Sequence, residues 1–198
     1  MVLVSVVCLM KYLSQNFKLL VILTLGYGLF YFVNNLCTSF LYLTPGAHLV
    51  HLPSGVKILM TLVTGPIGAL AIFIISNIWG VTFPFPGQFG LVFILSVGSA
   101  GVPWLVCKIC SDRFQLDGDL SKLTLRSLLS ISLSYAIFNS LVTQSILYLG
   151  GQSQDLWSGL EVMFLGDITG ILLIVSLARW MSRLIRSKVS SGKTAKPN

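Results

Sequence analysis

Charge is what this chain has least of. Only 10% of its 198 residues are Asp, Glu, Lys or Arg, and six are acidic, whereas a soluble domain carries about a quarter charged residues. With 55% hydrophobic residues and a mean hydropathy of +0.87, that scarcity excludes a soluble globular domain. It leaves an integral membrane protein whose first partner is the lipid bilayer. Catalytic signatures are missing as well. There is no phosphate-binding glycine loop, nucleotide motif or Ser-His-Asp spacing, so neither enzyme activity nor a cofactor is expected. Of the four cysteines only Cys107 and Cys110 have a suggestive spacing. A structural zinc site wants a second such pair, so no metal centre is expected from them. The net charge of +7 does not point to nucleic acid, because six of the thirteen basic residues follow Ala178. There they act as topology determinants and lipid-headgroup partners.

What the chain does have is long apolar runs. The first ten residues are apolar but too short to cross a bilayer, and no charged segment precedes them as in a signal peptide. Residues 1–18 therefore form an N-terminal apolar segment that lies at the interface or extends the first helix. A transmembrane domain follows over 19–180, and a basic cytoplasmic tail over 181–198. The first full span is expected from Leu19 to Leu43 and carries Asn34 and Asn35. Between Thr44 and Gly80 the chain reads either as one span or as two short ones broken at Gly65-Pro66, a pair that disfavours continuing a helix. The two-span reading puts Lys11, Lys18, the loop holding Lys108, Arg113, Lys122 and Arg126, and the tail on one face, with no Lys or Arg in the outer loops. The positive-inside rule favours that arrangement. The expected fold is thus all-α, a polytopic helical membrane bundle of about six spans (five in the alternative), some short or broken, with both termini cytoplasmic.

Later spans are expected over Phe89–Cys107, with Gly98, Gly101 and Pro103, and over Leu125–Leu149, preceded by a cap at Asp119 or Ser121. Tyr135 and Asn139 lie four residues apart on the fifth span and so share a helical face, with Gln144 further along; this polar face should point into the bundle, as should Asn34 and Asn77. The last span, Trp157 to Trp180, continues as an amphipathic extension carrying Arg179, Arg183 and Arg186 on one face. Residues 187–198 are expected to be disordered.

Ionisable groups inside such spans are expensive and mark functional sites. His48, His51 and Lys57 on the second span, with Glu161 and Asp167 on the sixth, form the candidate ligand-binding set. At ~1.5 Å per residue, Lys57 and Asp167 both reach mid-depth, while the histidines and Glu161 stay nearer the outer surface. Lys57 is expected to approach Asp167 or Glu161, directly or through water, either to fix helix register or to line an outward-facing polar pocket. Glu161 and Asp167 lie about 120° apart around their helix, which excludes a side-by-side carboxylate dyad. His48 and His51 with Glu161 lack a further metal ligand, so no metal is expected there either.

Several phrases carry a resemblance. Pro45-Gly46 followed by Leu52-Pro-Ser-Gly-Val56, then the Gly-rich run from Gly68 to Asn77, and finally Leu165-Gly-Asp-Ile-Thr-Gly170 resemble the MASE-type membrane-associated sensor domains of bacteria. The resemblance covers Pro45 to Asn77 and Leu165 to Ile174. It implies a multi-span input domain of the kind fused to a cytoplasmic kinase or cyclic-dinucleotide enzyme. The chain is shorter than the usual eight-span form and stops soon after its last span. A stand-alone version would act on a separate cytoplasmic or membrane signalling partner through its basic face. The expected function is sensory or protein-interaction, with a small-molecule ligand in the pocket; the alternative is the substrate-binding membrane subunit of a transporter.

Overall fold

Gly65 and Pro66 divide the middle of the chain. The computed structural model describes residues 2–38, 42–44, 47–48, 50–115 and 124–193, with α1 (Val2–Thr38), β1 (Tyr42–Thr44), β2 (Ala47–His48), α2 (Leu52–Thr64), α3 (Pro66–Thr82), α4 (Phe89–Phe114), α5 (Leu125–Leu149) and α6 (Leu156–Lys193). Gly65 ends α2 with its N–H on the Thr61 carbonyl and adopts φ +56°, a conformation that side chains resist. Pro66 opens α3, where its missing N–H costs nothing.

The two helices then fold back on each other. His51 and Trp79, each fourteen residues from Gly65 (65 − 51 and 79 − 65), both meet the edge of Tyr31, with ring centroids 6.2 Å and 5.0 Å away. Lys57 and Ser76 likewise share one partner, Ser99. This region is thus a helical hairpin and not one continuous helix.

The remaining contacts fix the direction of every helix. Tyr27 packs with Ile72, Gly28 faces Ile75 and Tyr31 faces Trp79, so α1 runs parallel to α3. Gly80 lies on Val92 while Ser76 meets Ser99, so α4 runs back. Gly150 touches Leu91 and Gly98 touches Val142, which reverses α5. Asn139 bonds Asp167 while Gln144 meets Met163, which reverses α6. Six alternating helices place the start of α1 and the end of α6 at the same end of the bundle. That end also holds Gly65, Lys18, Lys108, Arg113 and Arg126. The opposite end carries the ribbon and the turns at Phe83–Gln88 and Gly150–Asp155, and it has no Lys or Arg among the described residues.

Three helical stretches are long and apolar enough to cross a membrane: Ser14–Cys37, Phe89–Phe114 and Leu156–Ala178. α2 and α3 are shorter apolar helices, about 20 and 26 Å long at 1.5 Å per residue. Large apolar side chains, among them Phe17, Ile22, Leu25, Leu29, Phe93 and Leu173, point outward. Ser54, Lys57, Ser96, Asn139, Gln144 and Asp167 point inward. A soluble fold sorts its side chains the other way.

α2 and α6 make the closest approach. A Cβ on Gly170 would fall on the carbonyl of His51, and one on Gly55 would sit 2.5 Å from Ile174 Cβ and 2.8 Å from the Gly170 carbonyl. The N–H of His51 donates to the Gly166 carbonyl at 3.1 Å, tying the entrance of α2 to the middle of α6. Glycine at 55 and 170 is what lets the two backbones meet.

The structure corrects several sequence expectations. His48 does not lie on a span: it sits in β2, antiparallel to β1, with Tyr42 opposite His48, because the chain enters α2 only after Pro53 can take an early helical position. The first helix stops at Thr38 rather than Leu43 and runs unbroken through residues 2–18. α6 continues to Lys193 where disorder was expected after Ser187, since extending an existing helix costs far less than starting one. The cap of α5 is Thr124, whose Oγ1 accepts the Ser127 N–H at 3.2 Å while Ser127 Oγ accepts the Thr124 N–H at 2.9 Å. Asp119 and Ser121 lie outside the described residues, as does 194–198.

Gly170→Ala is expected to cost roughly 1–3 kcal/mol by overpacking the α2–α6 contact, read as a lower unfolding temperature in detergent. Gly101→Ala, where nothing lies within 4 Å of the new methyl, should be neutral or slightly stabilising.

Candidate functional site

Asp167 is fully buried, and its carboxylate is held from two sides. Ser54 Oγ donates to Oδ1 and Asn139 Nδ2 donates to Oδ2 at 2.7 Å. Ser54 is offered by the first turn of α2 and Asn139 by the inner face of α5, so one side chain of α6 ties three helices together. Tyr135, one turn below Asn139, is equally buried, and its hydroxyl makes no hydrogen bond. Burying a carboxylate in apolar surroundings is costly without such donors.

Lys57 does not join this cluster. One turn further along α2, its ammonium donates to Ser99 Oγ at 2.6 Å, and Ser76 Oγ meets the same oxygen at 3.2 Å. Among the described residues no ion pair within 4.0 Å links Lys57 to Asp167 or Glu161. The direct pairing expected from their shared depth is replaced by two separate polar partnerships, because depth fixes height along the bundle and not the direction a side chain takes.

Lys57 and Ser99 lie at the bottom of a cavity of about 340 Å³. Asn139, Thr143 and Ser96 add polar wall, and Leu95, Leu147 and Met163 add apolar wall. Tyr31, His51, Trp79 and Phe83 form the rim at the end that has no Lys or Arg. Below Lys57 the bundle is closed by packing of Ile58, Cys107, Leu128, Ile131 and Ile171.

No protein-family model matches the chain, and neither a search of curated proteins nor one of solved structures finds a match.

The expected ligand-binding residues are therefore distributed unevenly. Lys57 and His51 line the cavity. Asp167 lies behind it, joined through Asn139, which does reach the cavity wall. Glu161 is exposed and outside it, as follows from its angular offset from the inward-facing Asp167. For His48 the backbone alone is described. Among the expected interior residues, Asn34, Tyr135, Asn139 and Gln144 are buried. The Gln144 amide nitrogen donates to Met163 Sδ at 3.6 Å and its oxygen faces Gly159. Asn77 instead donates to the Phe73 carbonyl of its own helix at 3.0 Å and is half-buried, so it adds nothing to the interior. Among the described residues no three His, Cys, Asp or Glu side chains come together as metal ligands would. Sequence reasoning missed the serines: Ser54, Ser76, Ser96 and Ser99 carry much of the polar chemistry. Ser96 and Ser99, spaced i, i+3 on a helix of otherwise apolar and small residues, were the available signal.

Asn139→Leu should leave one carboxylate oxygen of Asp167 without a donor and cost roughly 1–3 kcal/mol or more. In an Asp167→Leu background the same change should cost much less, a coupling that thermal unfolding of the four proteins measures. Asp167→Asn should be milder, since the Asn139 amide can turn to present its oxygen.

Proposed function

We propose that this chain is a multi-pass membrane sensor that binds a small molecule in the cavity above Lys57 and conveys the bound state to a signalling partner at its basic end. The single observation that carries the reading is the preformed cavity, with a buried lysine at its base and an aromatic rim. Largely preformed concave sites of this size, apolar with a few convergent polar groups, are what small-molecule binding uses.

Charge supports the orientation. The basic end is cytoplasmic by the positive-inside rule, which leaves the cavity open to the outside of a bacterial inner membrane. The resemblance to MASE-type sensor domains supports the sensor reading. The Leu-Pro-Ser-Gly and Gly-Asp-Ile-Thr-Gly phrases that carry the resemblance are the two that meet, through Ser54 with Asp167 and Gly55 with Gly170.

Cys37 gives a test of orientation. It is exposed, six residues beyond Tyr31 toward the open end of the cavity. A membrane-impermeant maleimide added to intact cells should label it, and Cys37→Ser should abolish that signal. Labelling only after the membrane is permeabilised would reverse the topology. Ligand-dependent thermal stabilisation across a metabolite panel, lost in Ser96→Trp, which fills the cavity, tests binding itself. Stabilisation that survives Ser96→Trp would place the ligand elsewhere.

A further inference from the structure

Within the cavity, hydrogen-bond donors and acceptors are out of balance. Lys57 has three N–H donors, and one is spent on Ser99. Ser99 Oγ accepts from Lys57 and is met by Ser76, which leaves its own proton to give. Ser96, 1% exposed and on the cavity wall, has a hydroxyl with no partner. The acceptor that would have balanced them is elsewhere, since Asp167 is occupied by Ser54 and Asn139 and does not line the cavity. Among the described residues Lys57 is the one Lys or Arg lining the cavity and no Asp or Glu lines it, while the Asp167 charge behind the wall partly offsets that of Lys57 without taking a hydrogen bond from it.

Position adds to this. Lys57 is six residues below His51 on α2, about 9 Å from the rim at 1.5 Å per residue. Between them the walls are largely apolar, with Leu95, Leu147 and Met163 inside and Trp79 and Phe83 at the mouth. A molecule that satisfies the floor must present acceptors and negative charge at its inner end and an apolar or aromatic body behind it.

Resting on the sensor reading above, we infer that the ligand class is a small organic monoanion, a carboxylate with an apolar body, whose charged end meets Lys57, Ser99 and Ser96. A single lysine matches a single negative charge. A carboxylate accepts on two oxygens, which suits an ammonium flanked by two hydroxyls. A neutral isostere keeps the apolar contacts but loses the charge-assisted bonds, and an amine sets like charges against each other.

The test uses the purified full-length protein in detergent micelles, titrated with phenylacetate, phenylacetamide, phenethylamine and phenyl phosphate while the unfolding temperature is followed. Phenylacetate should bind about ten- to a hundredfold more tightly than phenylacetamide, and phenethylamine most weakly. Lys57→Met should bring the carboxylate-to-amide ratio near one while retaining the amide. Lys57→Arg should preserve part of the preference. If Lys57→Met does not fold, the wild-type ratio decides alone. Equal binding of acid and amide, both lost in Ser96→Trp, would overturn the anion assignment and leave the sensor reading standing. Phenyl phosphate binding about tenfold more tightly than phenylacetate would overturn the monoanion in favour of an organic phosphate. Failure of all four probes to bind would overturn the cavity as a ligand site together with this inference.

Discussion

The contact between α2 and α6 is the constraint on which the rest of the bundle depends. Two glycines bring the backbones together, a backbone hydrogen bond from His51 to Gly166 fixes their register, and Ser54 then reaches Asp167. The three contacts lie side by side and support one another. Without the close approach, Ser54 could not satisfy the carboxylate. An unsatisfied carboxylate in an apolar interior would destabilise α6 where it should pack best. With Asp167 anchored, Asn139 is oriented as well, and α5 takes its rotation from that bond.

The cavity is a consequence of this arrangement. Because α2 leans on α6 at its N-terminal end, its next inward turn, carrying Lys57, faces α3 and α4 and not α6. The hairpin at Gly65 brings Ser76 to the same height, and α4 contributes Ser99. The polar groups at the centre of the molecule therefore fall into two compartments. One is closed around Asp167, which Ser54 and Asn139 hold; the other surrounds Lys57 and opens to one end. Asn139 stands between them, bonded to the first and lining the second.

Much of the architecture was legible in the sequence because it is written in strong local signals. The Gly65-Pro66 break, the inward face of Tyr135 and Asn139, and the exclusion of Lys and Arg from one end follow from backbone chemistry, helical period and charge placement. The helix bounds of α5 are the expected ones, Leu125–Leu149, although α5 is not among the three helices apolar enough to cross a membrane. What could not be read was lateral direction. Lys57 and Asp167 lie within about a turn of each other in height, yet each takes a serine as partner, because rotation about α2 decides which neighbour a side chain meets. A serine in an apolar helix is as often a packing residue as a polar one, so the spacing of Ser96 and Ser99 marked a polar stripe without showing which side chain each would meet. The β1–β2 ribbon was also hidden: three residues paired with two leave almost no periodic pattern to detect.

α6 is continuous from Leu156 to Lys193, and its tightest fixed point, at Gly166 and Gly170, is where it touches the backbone of His51 at the rim of the cavity. From Gly170 to the last helical residue is about 35 Å of unbroken helix at 1.5 Å per residue. The geometry is that of a lever with a short arm at the cavity end and a long one at the basic end. A tilt of about 3° at the glycines, too small to break a hydrogen bond, moves the far tip by about 2 Å.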